Sequence, residues 1–346
     1  MIRQIISWVT PTKRRAPESC FGERLIKRRR ARELIFVLGS IRKVMDIKDI
    51  HFEREPTVKE LVGAYSESGF QGTHIGQASE LMKKMKAEGA TIFLAFTANV
   101  VASGLRGVLA DMVREGYADV IITTGGALDH DLIKAHEPYL LGSFHENDAK
   151  LHQEGVNRIG NILVPSSRYE LLEEKMQNVF SEVSKDKKIV SPSEIAKEMG
   201  KQIDDKGSFL KQAYEREVPV FSPGITDSAI GMQTYFWKQQ KENKDFGIDV
   251  TKDMQQLANL ALNAEKTAGI IVGGGISKHH TIGVNLMRGG LDYALYLTTA
   301  EPWDGSLSGA PAKEAVSWGK IKEKGEHVTV HGDATITLPL IYYSLK

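Results

Sequence analysis

The feature that most restricts the fold of this chain is an alternation of short apolar runs with helical segments. Thr91-Ile92-Phe93-Leu94-Ala95-Phe96 is a short, continuous apolar run, the pattern of a strand buried on both faces of a parallel sheet. The turn Thr97-Ala98-Asn99 leads at once into a helical segment, Val100 to Glu115, and Ala118 to Thr124 supplies a second strand. Strand, helix and strand in that order make one βαβ unit. The same pattern predicts strands at Asn161 to Val164, Val218 to Phe221, Ala268 to Val272, Tyr293 to Thr298 and His327 to His331. Helices are expected between them, before them at Thr57 to Tyr65 and Ile75 to Lys86, and after them at Ala334 to Leu345. Such alternation implies an α/β fold, a doubly wound and mainly parallel sheet with helices on both faces.

Composition fits one large domain. With 346 residues, 41% hydrophobic and 26% charged, the chain can bury a sizeable core. The single Cys20 rules out an intrachain disulfide and a cysteine zinc cluster, which suits a reducing cytoplasm. No apolar run reaches the ~18 to 20 residues that span a bilayer, and no signal peptide is evident, so a cytoplasmic location without membrane contact is expected. Charge is unevenly spread: residues 1–45 hold 12 Lys or Arg against 3 Glu, leaving 33 basic and 41 acidic residues in 46–346. An acidic body suits a cationic substrate. Residues 1–45, with Lys27-Arg28-Arg29-Arg30-Ala31-Arg32, read as a basic extension, and Met45 is an alternative start. No nucleic-acid partner is expected.

In doubly wound folds ligands collect at the carboxyl ends of the strands. Here those ends carry Thr97-Ala98-Asn99, the segment Thr123 to Asp131, Ser222-Pro223-Gly224-Ile225-Thr226-Asp227, Gly273-Gly274-Gly275 with Lys278-His279-His280, and Thr298-Thr299-Ala300. Glycines let backbone amides approach a phosphate, and a helix N-terminus behind them adds its positive end. The rim therefore suits a nucleotide with two phosphates. Tight strand-to-helix turns also need glycine on structural grounds, and the G-x-G-x-x-G fingerprint is absent. Asp227 and Asp333 suit ribose hydroxyls or helix N-caps. His279 and His280 diverge by ~100° on a helix and have no carboxylate at ligand spacing, so no metal is expected.

The stretch Glu314-Ala315-Val316-Ser317-Trp318-Gly319-Lys320-Ile321 places one lysine two residues after a tryptophan and six after a glutamate. Its apolar character puts Lys320 in a partly dry, aromatic-walled setting, where desolvation favours the neutral amine needed for Schiff-base chemistry. A snorkelling surface lysine is the alternative.

These segments, together with Asn285-Leu286-Met287-Arg288, Asp304-Gly305-Ser306, Ser308-Gly309-Ala310 and Asp333-Ala334, resemble the deoxyhypusine synthase family, in order, from about Gly69-Phe70-Gln71 to the C-terminus. The resemblance implies a Rossmann-like core, NAD as cofactor, and a homotetramer with active sites between paired subunits. It implies transfer of the aminobutyl group of spermidine to one lysine of the hypusine-containing translation factor, the first step of hypusine formation. Carried over to this chain, Lys320 is the nucleophile and His279 the base. Ala98, Asn99, Val100, Val101, Ala102, Thr124, Gly125, Gly126, Asp227, Gly274, Thr299, Ala300, Asp333 and Ala334 would hold the cofactor. Asp129, His130, His279, Gly305, Ser306, Glu314 and Trp318 would hold the amine. The chain departs from eukaryotic members in having Asp129-His130 for a pair of glutamates, and Met232 and Leu307 for polyamine-binding aspartates. It looks closer to archaeal members, and the exact amine is left open. A homospermidine-synthase-like transfer to putrescine and a non-catalytic NAD-binding paralogue are the alternatives. Phe21 to Met45 could form a basic amphipathic helix where eukaryotic members have one over the entrance.

Overall fold

A computed structural model describes residues 46–346. The basic extension expected over residues 1–45, with its amphipathic helix, lies outside them. Six strands build the central sheet: β1 (Thr91–Phe96), β2 (Val120–Ile122), β3 (Val220–Phe221), β4 (Thr267–Val272), β5 (Leu291–Thr298) and β6 (Ile321–His331). Every pairing is parallel, and the lateral order is β6-β5-β4-β1-β2-β3. From the other edge this reads 3-2-1-4-5-6, the order of the doubly wound dinucleotide-binding fold, in which winding reverses between the two central strands. β1 and β4 pair residue for residue from Thr91 and Thr267 to Phe96 and Val272. Their ends are therefore level, and the turns that follow lie side by side.

The helices that position the site are α1 (Val58–Tyr65), α2 (Phe70–Ala87), α3 (Ala98–Ala102), α4 (Arg106–Arg114), α5 (Gly125–Lys134), α6 (Ala229–Gln239), α7 (Gly275–Leu286), α8 (Ala312–Ser317) and α9 (Ala334–Tyr343). Alternate residues of β1 serve opposite cores, as a pleated strand requires. Ile92, Leu94 and Phe96 pack with Met82 and Met85 of α2, Leu109 of α4 and Ile341 of α9. Ala95 packs with Ile282 of α7 and Ala312 and Ala315 of α8, and Phe93 with Leu257 of the helix Thr251–Leu262. Both sheet faces are thus covered, which is why the inner strands β1, β2 and β4 lack a polar face.

Two expected elements differ. The helix expected over Val100 to Glu115 is broken into α3 and α4 at Ser103, whose backbone is extended (ψ −176°). The Ser103 hydroxyl donates to the Val100 carbonyl at 2.7 Å and accepts from the Leu105 amide at 3.2 Å, so the side chain replaces part of the helical ladder. The strand expected at Asn161 to Val164 forms as Ile162–Pro165 but lies outside the central sheet. It pairs antiparallel with Val156–Ile159 and Leu140–Leu141, because Gly160, at φ +62°, turns the chain straight back after Ile159. This small sheet and the helices Ser167–Val183, Pro192–Gln202 and Phe209–Glu215 fill the long connection from β2 to β3. Arg106 ties that connection down. It donates to Asp131 at 2.5 Å and to Asp205 at 2.6 Å, and Asp131 also accepts from the Ser208 hydroxyl and the Leu210 amide.

Candidate active site

The carboxyl edge of the sheet carries the expected rim. α3, α5 and α7 start directly after β1, β2 and β4, and none has a side-chain cap on its first amides. The hydroxyls of Thr124 and Ser222 are buried there without a hydrogen-bond partner, an arrangement that calls for a polar ligand. Glycine has separate reasons at different rim positions. A Cβ on Gly125 would come within 2.5 Å of the Ser228 hydroxyl and one on Gly274 within 2.2 Å of the Ser308 hydroxyl, so both are forced by packing. Gly275, at φ +62°, has open space where a Cβ would stand, and its amide donates to the Ser308 hydroxyl at 3.0 Å.

The remaining expected cofactor residues are spread along this edge. Ala98 and Asn99 open α3, whereas Val100, Val101 and Ala102, which complete it, are buried. Asp227 is exposed, and the cap of α6 is the adjacent Ser228. Asp333 is itself a cap, accepting the Thr335 amide at 2.8 Å just ahead of Ala334. Thr299 is exposed, and the Ala300 amide donates to the Thr298 hydroxyl at 3.0 Å.

Beside the rim lies a cavity of about 370 Å³ that gathers His279, Gly305, Ser306, Glu314, Trp318 and Lys320. Local chain geometry explains the last of these. α8 ends in a Schellman turn: the Gly319 amide donates to the Val316 carbonyl at 2.9 Å and the Lys320 amide to the Ala315 carbonyl at 3.0 Å, with Gly319 at φ +67°. That left-handed residue must be glycine at low cost. Glu314 and Trp318, four residues apart, share one side, while Ala312 and Ala315 are buried on the sheet. The Lys320 ammonium lies 5.2 Å from the centre of the Trp318 ring. Trp318 is 66% exposed and Lys320 half-buried, so the cavity is open on this side.

A second lysine lines the same cavity, and it is the dry one. Lys278 is only 1% exposed, donates to the Ala310 carbonyl at 2.7 Å and the Ser308 carbonyl at 3.5 Å, and sits 4.5 Å above the Tyr296 ring. Burial pulls its pKa down to about 8, partly offset by Glu314. Leu307, at a position where eukaryotic members were expected to have an aspartate, forms part of the wall. Tyr296 also lines this cavity; no local pattern marked it, since a tyrosine in a buried strand reads as core.

Asp129 and His130 do not line the cavity. Both carboxylate oxygens of Asp129 accept amides at the start of α6, from Ala229 at 2.9 Å and Ile230 at 3.0 Å. Burial pushes its pKa up to about 7, against those two bonds. His130 is buried edge-on to Tyr139, its Nδ1 2.8 Å from the phenol oxygen. Burial and then Lys134 pull its pKa down to about 4. Met232 is exposed on α6. Among the described residues there is no group of three or more His, Cys, Asp or Glu able to hold a metal ion. Nor is any described helix long and apolar enough to cross a membrane.

Fold and site together define an α/β enzyme of doubly wound topology, with a nucleotide-type rim beside a lysine-bearing cavity. A deoxyhypusine synthase family profile matches residues 60–345, and the chain belongs to that family, whose members are transferases. It is 45% identical over 304 residues to a probable deoxyhypusine synthase from Thermococcus kodakarensis, covering 84% of this chain and 90% of the relative. A probable deoxyhypusine synthase from Halobacterium salinarum is 43% identical over 299 residues, covering 86% and 90%. A crystal structure from Entamoeba histolytica named for the same enzyme has the same fold, with a TM-score of 0.64 at 22% identity over 86% of this chain and 96% of that one. Membership supports aminobutyl transfer as the reaction.

Proposed function

We propose that this chain moves the aminobutyl group of spermidine onto a lysine of the hypusine-containing translation factor, through an imine on Lys320 and with NAD as cofactor. The observation that carries the reading is the single cavity that brings His279, Glu314, Trp318 and Lys320 together. The rim fits NAD: the unpartnered Thr124 and Ser222 hydroxyls and the open position at Gly275 lie at the strand ends where dinucleotides bind. Amides of Ala98, Asn99, Gly125, Gly126 and Gly274, with Thr299 and Ala300, would hold its phosphates and sugars, and Asp227 a ribose. When bound, NAD supplies a hydride acceptor for the carbon beside spermidine's secondary nitrogen and later returns that hydride to the product.

The chain's own side chains do the rest. Glu314 holds an ammonium end and Trp318 packs on the cationic chain. His279 takes the proton released as the carbon is oxidised. The Lys320 amine attacks the resulting imine carbon, 1,3-diaminopropane leaves, and the butyl group stays on Lys320 as an imine. The acceptor lysine then displaces Lys320 as the free amine and takes over the imine, and return of the hydride to that imine leaves no net oxidation. The exposure of Trp318 and of Trp303, 66% and 82%, supports a second copy closing the site, which the proposed homotetramer would supply, since free imines hydrolyse in water. Borohydride added with NAD and spermidine should trap a butylamine adduct on Lys320, located by peptide mass mapping. An adduct on Lys278 instead would overturn the assignment of the nucleophile. Labelled spermidine, offered with the translation factor or with putrescine, decides between protein and free-amine acceptors.

A further inference from the structure

Tyr296 stands in the middle of β5, paired with Ile271 and Thr329, and its ring belongs to the core formed with Ile282 and Ala315. Those two residues and Tyr296 itself line the amine cavity, so the ring forms its inner wall. Its hydroxyl is buried and has no hydrogen-bond partner, in a residue only 1% exposed. An unpartnered buried hydroxyl forfeits its hydration without return, and phenylalanine would fill the same space without that loss. Lys278 occupies the ring face at 4.5 Å and is itself held by the Ala310 and Ser308 carbonyls. The ring face is therefore taken, and what Tyr296 offers a ligand is its hydroxyl. Burial pushes the phenol well above its ordinary range, so it stays protonated, able to accept one hydrogen bond and donate another.

The charges along the cavity are asymmetric. Glu314 and Trp318 stand at the open side, suited to an ammonium, whereas the inner end has the Lys278 cation, which disfavours a second positive charge. Oxidation of a carbon beside nitrogen needs that nitrogen's lone pair, so the reacting nitrogen must be uncharged. We propose that the Tyr296 hydroxyl binds the uncharged secondary nitrogen of the amine donor, accepting its N–H, while Lys278 keeps that nitrogen unprotonated. This deepens the functional reading above and rests on it.

The test is a cycle of two proteins and two ligands, read by calorimetric binding. NADH replaces NAD in these titrations, so that neither amine is oxidised, and the probes are spermidine and 1,8-diaminooctane, which has the same length with a methylene where spermidine has its secondary nitrogen. Wild type should prefer spermidine by about tenfold or more, and Tyr296→Phe should lose most of that preference. NAD affinity should be unchanged and Tm should not fall, because the hydroxyl removed has no protein partner. If the variant keeps the wild-type preference within twofold, the inference is wrong even though the functional reading stands. If wild type itself takes up no spermidine, the functional reading fails and the inference with it. A purely structural role would lower Tm without moving the ratio of the two ligands.

Discussion

His130 is where the structure makes the sharpest quantitative demand. The ring is buried against Tyr139 with Lys134 nearby, and its folded pKa is pulled from 6.5 to about 4. The folded state therefore binds fewer protons than the unfolded one between those values. Stability from this group is full above about pH 6.5 and is lost as pH falls through about 4. Integrating the two titrations gives a loss of about 2 kcal/mol by pH 5 and about 3 kcal/mol by pH 4. His130→Asn keeps a polar atom near Nδ1 for the Tyr139 hydroxyl but cannot titrate. In urea unfolding at pH 7.5, 5 and 4, the advantage of wild type over the variant should shrink by those amounts. The pH profile of NAD-dependent spermidine cleavage should stay as it is, because His130 does not line the amine cavity. A stability gap that is flat with pH would refute the buried neutral state. A pH profile that changes in the variant would place the residue back in the chemistry.

Lys320→Arg keeps a positive charge but cannot serve as an amine nucleophile, so transfer to the acceptor should collapse while cleavage to diaminopropane persists at a reduced rate; full transfer in the variant would sink the imine mechanism. Lys134 donates to the carbonyls of Val101, Ala102 and Ser103 at the end of α3. Lys134→Met should therefore weaken NAD binding by about fivefold or more and leave amine binding alone, and equal losses of both would show that the effect is not local. Arg106→Met strands the buried Asp131 and should cost ~3 to 5 kcal/mol in urea unfolding; a cost below about 1 kcal/mol would mean the Ser208 and Leu210 bonds suffice.

The central sheet was legible because burial on both faces leaves strand sequences such as Ile92 to Phe96 with no polar side to confuse with a helix. The turns after those strands could be named for the same reason, since a buried strand must end where polar and glycine residues resume. The small sheet carried a readable signal that was missed: Gly160-Asn161 between Ile159 and Ile162 is a hairpin turn. The break at Ser103 carried one too, the turn dipeptide Ser103-Gly104, in a stretch whose apolar spacing is otherwise helical. Other features had no local signature. Asp129 acts on amides 100 and 101 residues away, and Arg106 joins carboxylates 25 and 99 residues away. Contacts of that range follow from the assembled topology and leave no trace in spacing.

The sequence placed Lys320 in a dry setting because its segment is apolar, and the structure shows how that inference divides. The apolar residues of the segment, Ala315, Val316 and Ile321, are spent on the core against the sheet, which leaves Glu314, Trp318 and Lys320 facing an open cavity. Dryness from the chain itself falls on Lys278 instead, at the inner end. A lysine already desolvated and bonded to two carbonyls is a poor nucleophile, since its nitrogen is committed to Ala310 and Ser308. One that is half-exposed can meet a substrate and then lose its water to that substrate. On the proposed mechanism, Lys320 is activated only when an amine chain fills the cavity against Trp318 and a second copy covers its mouth.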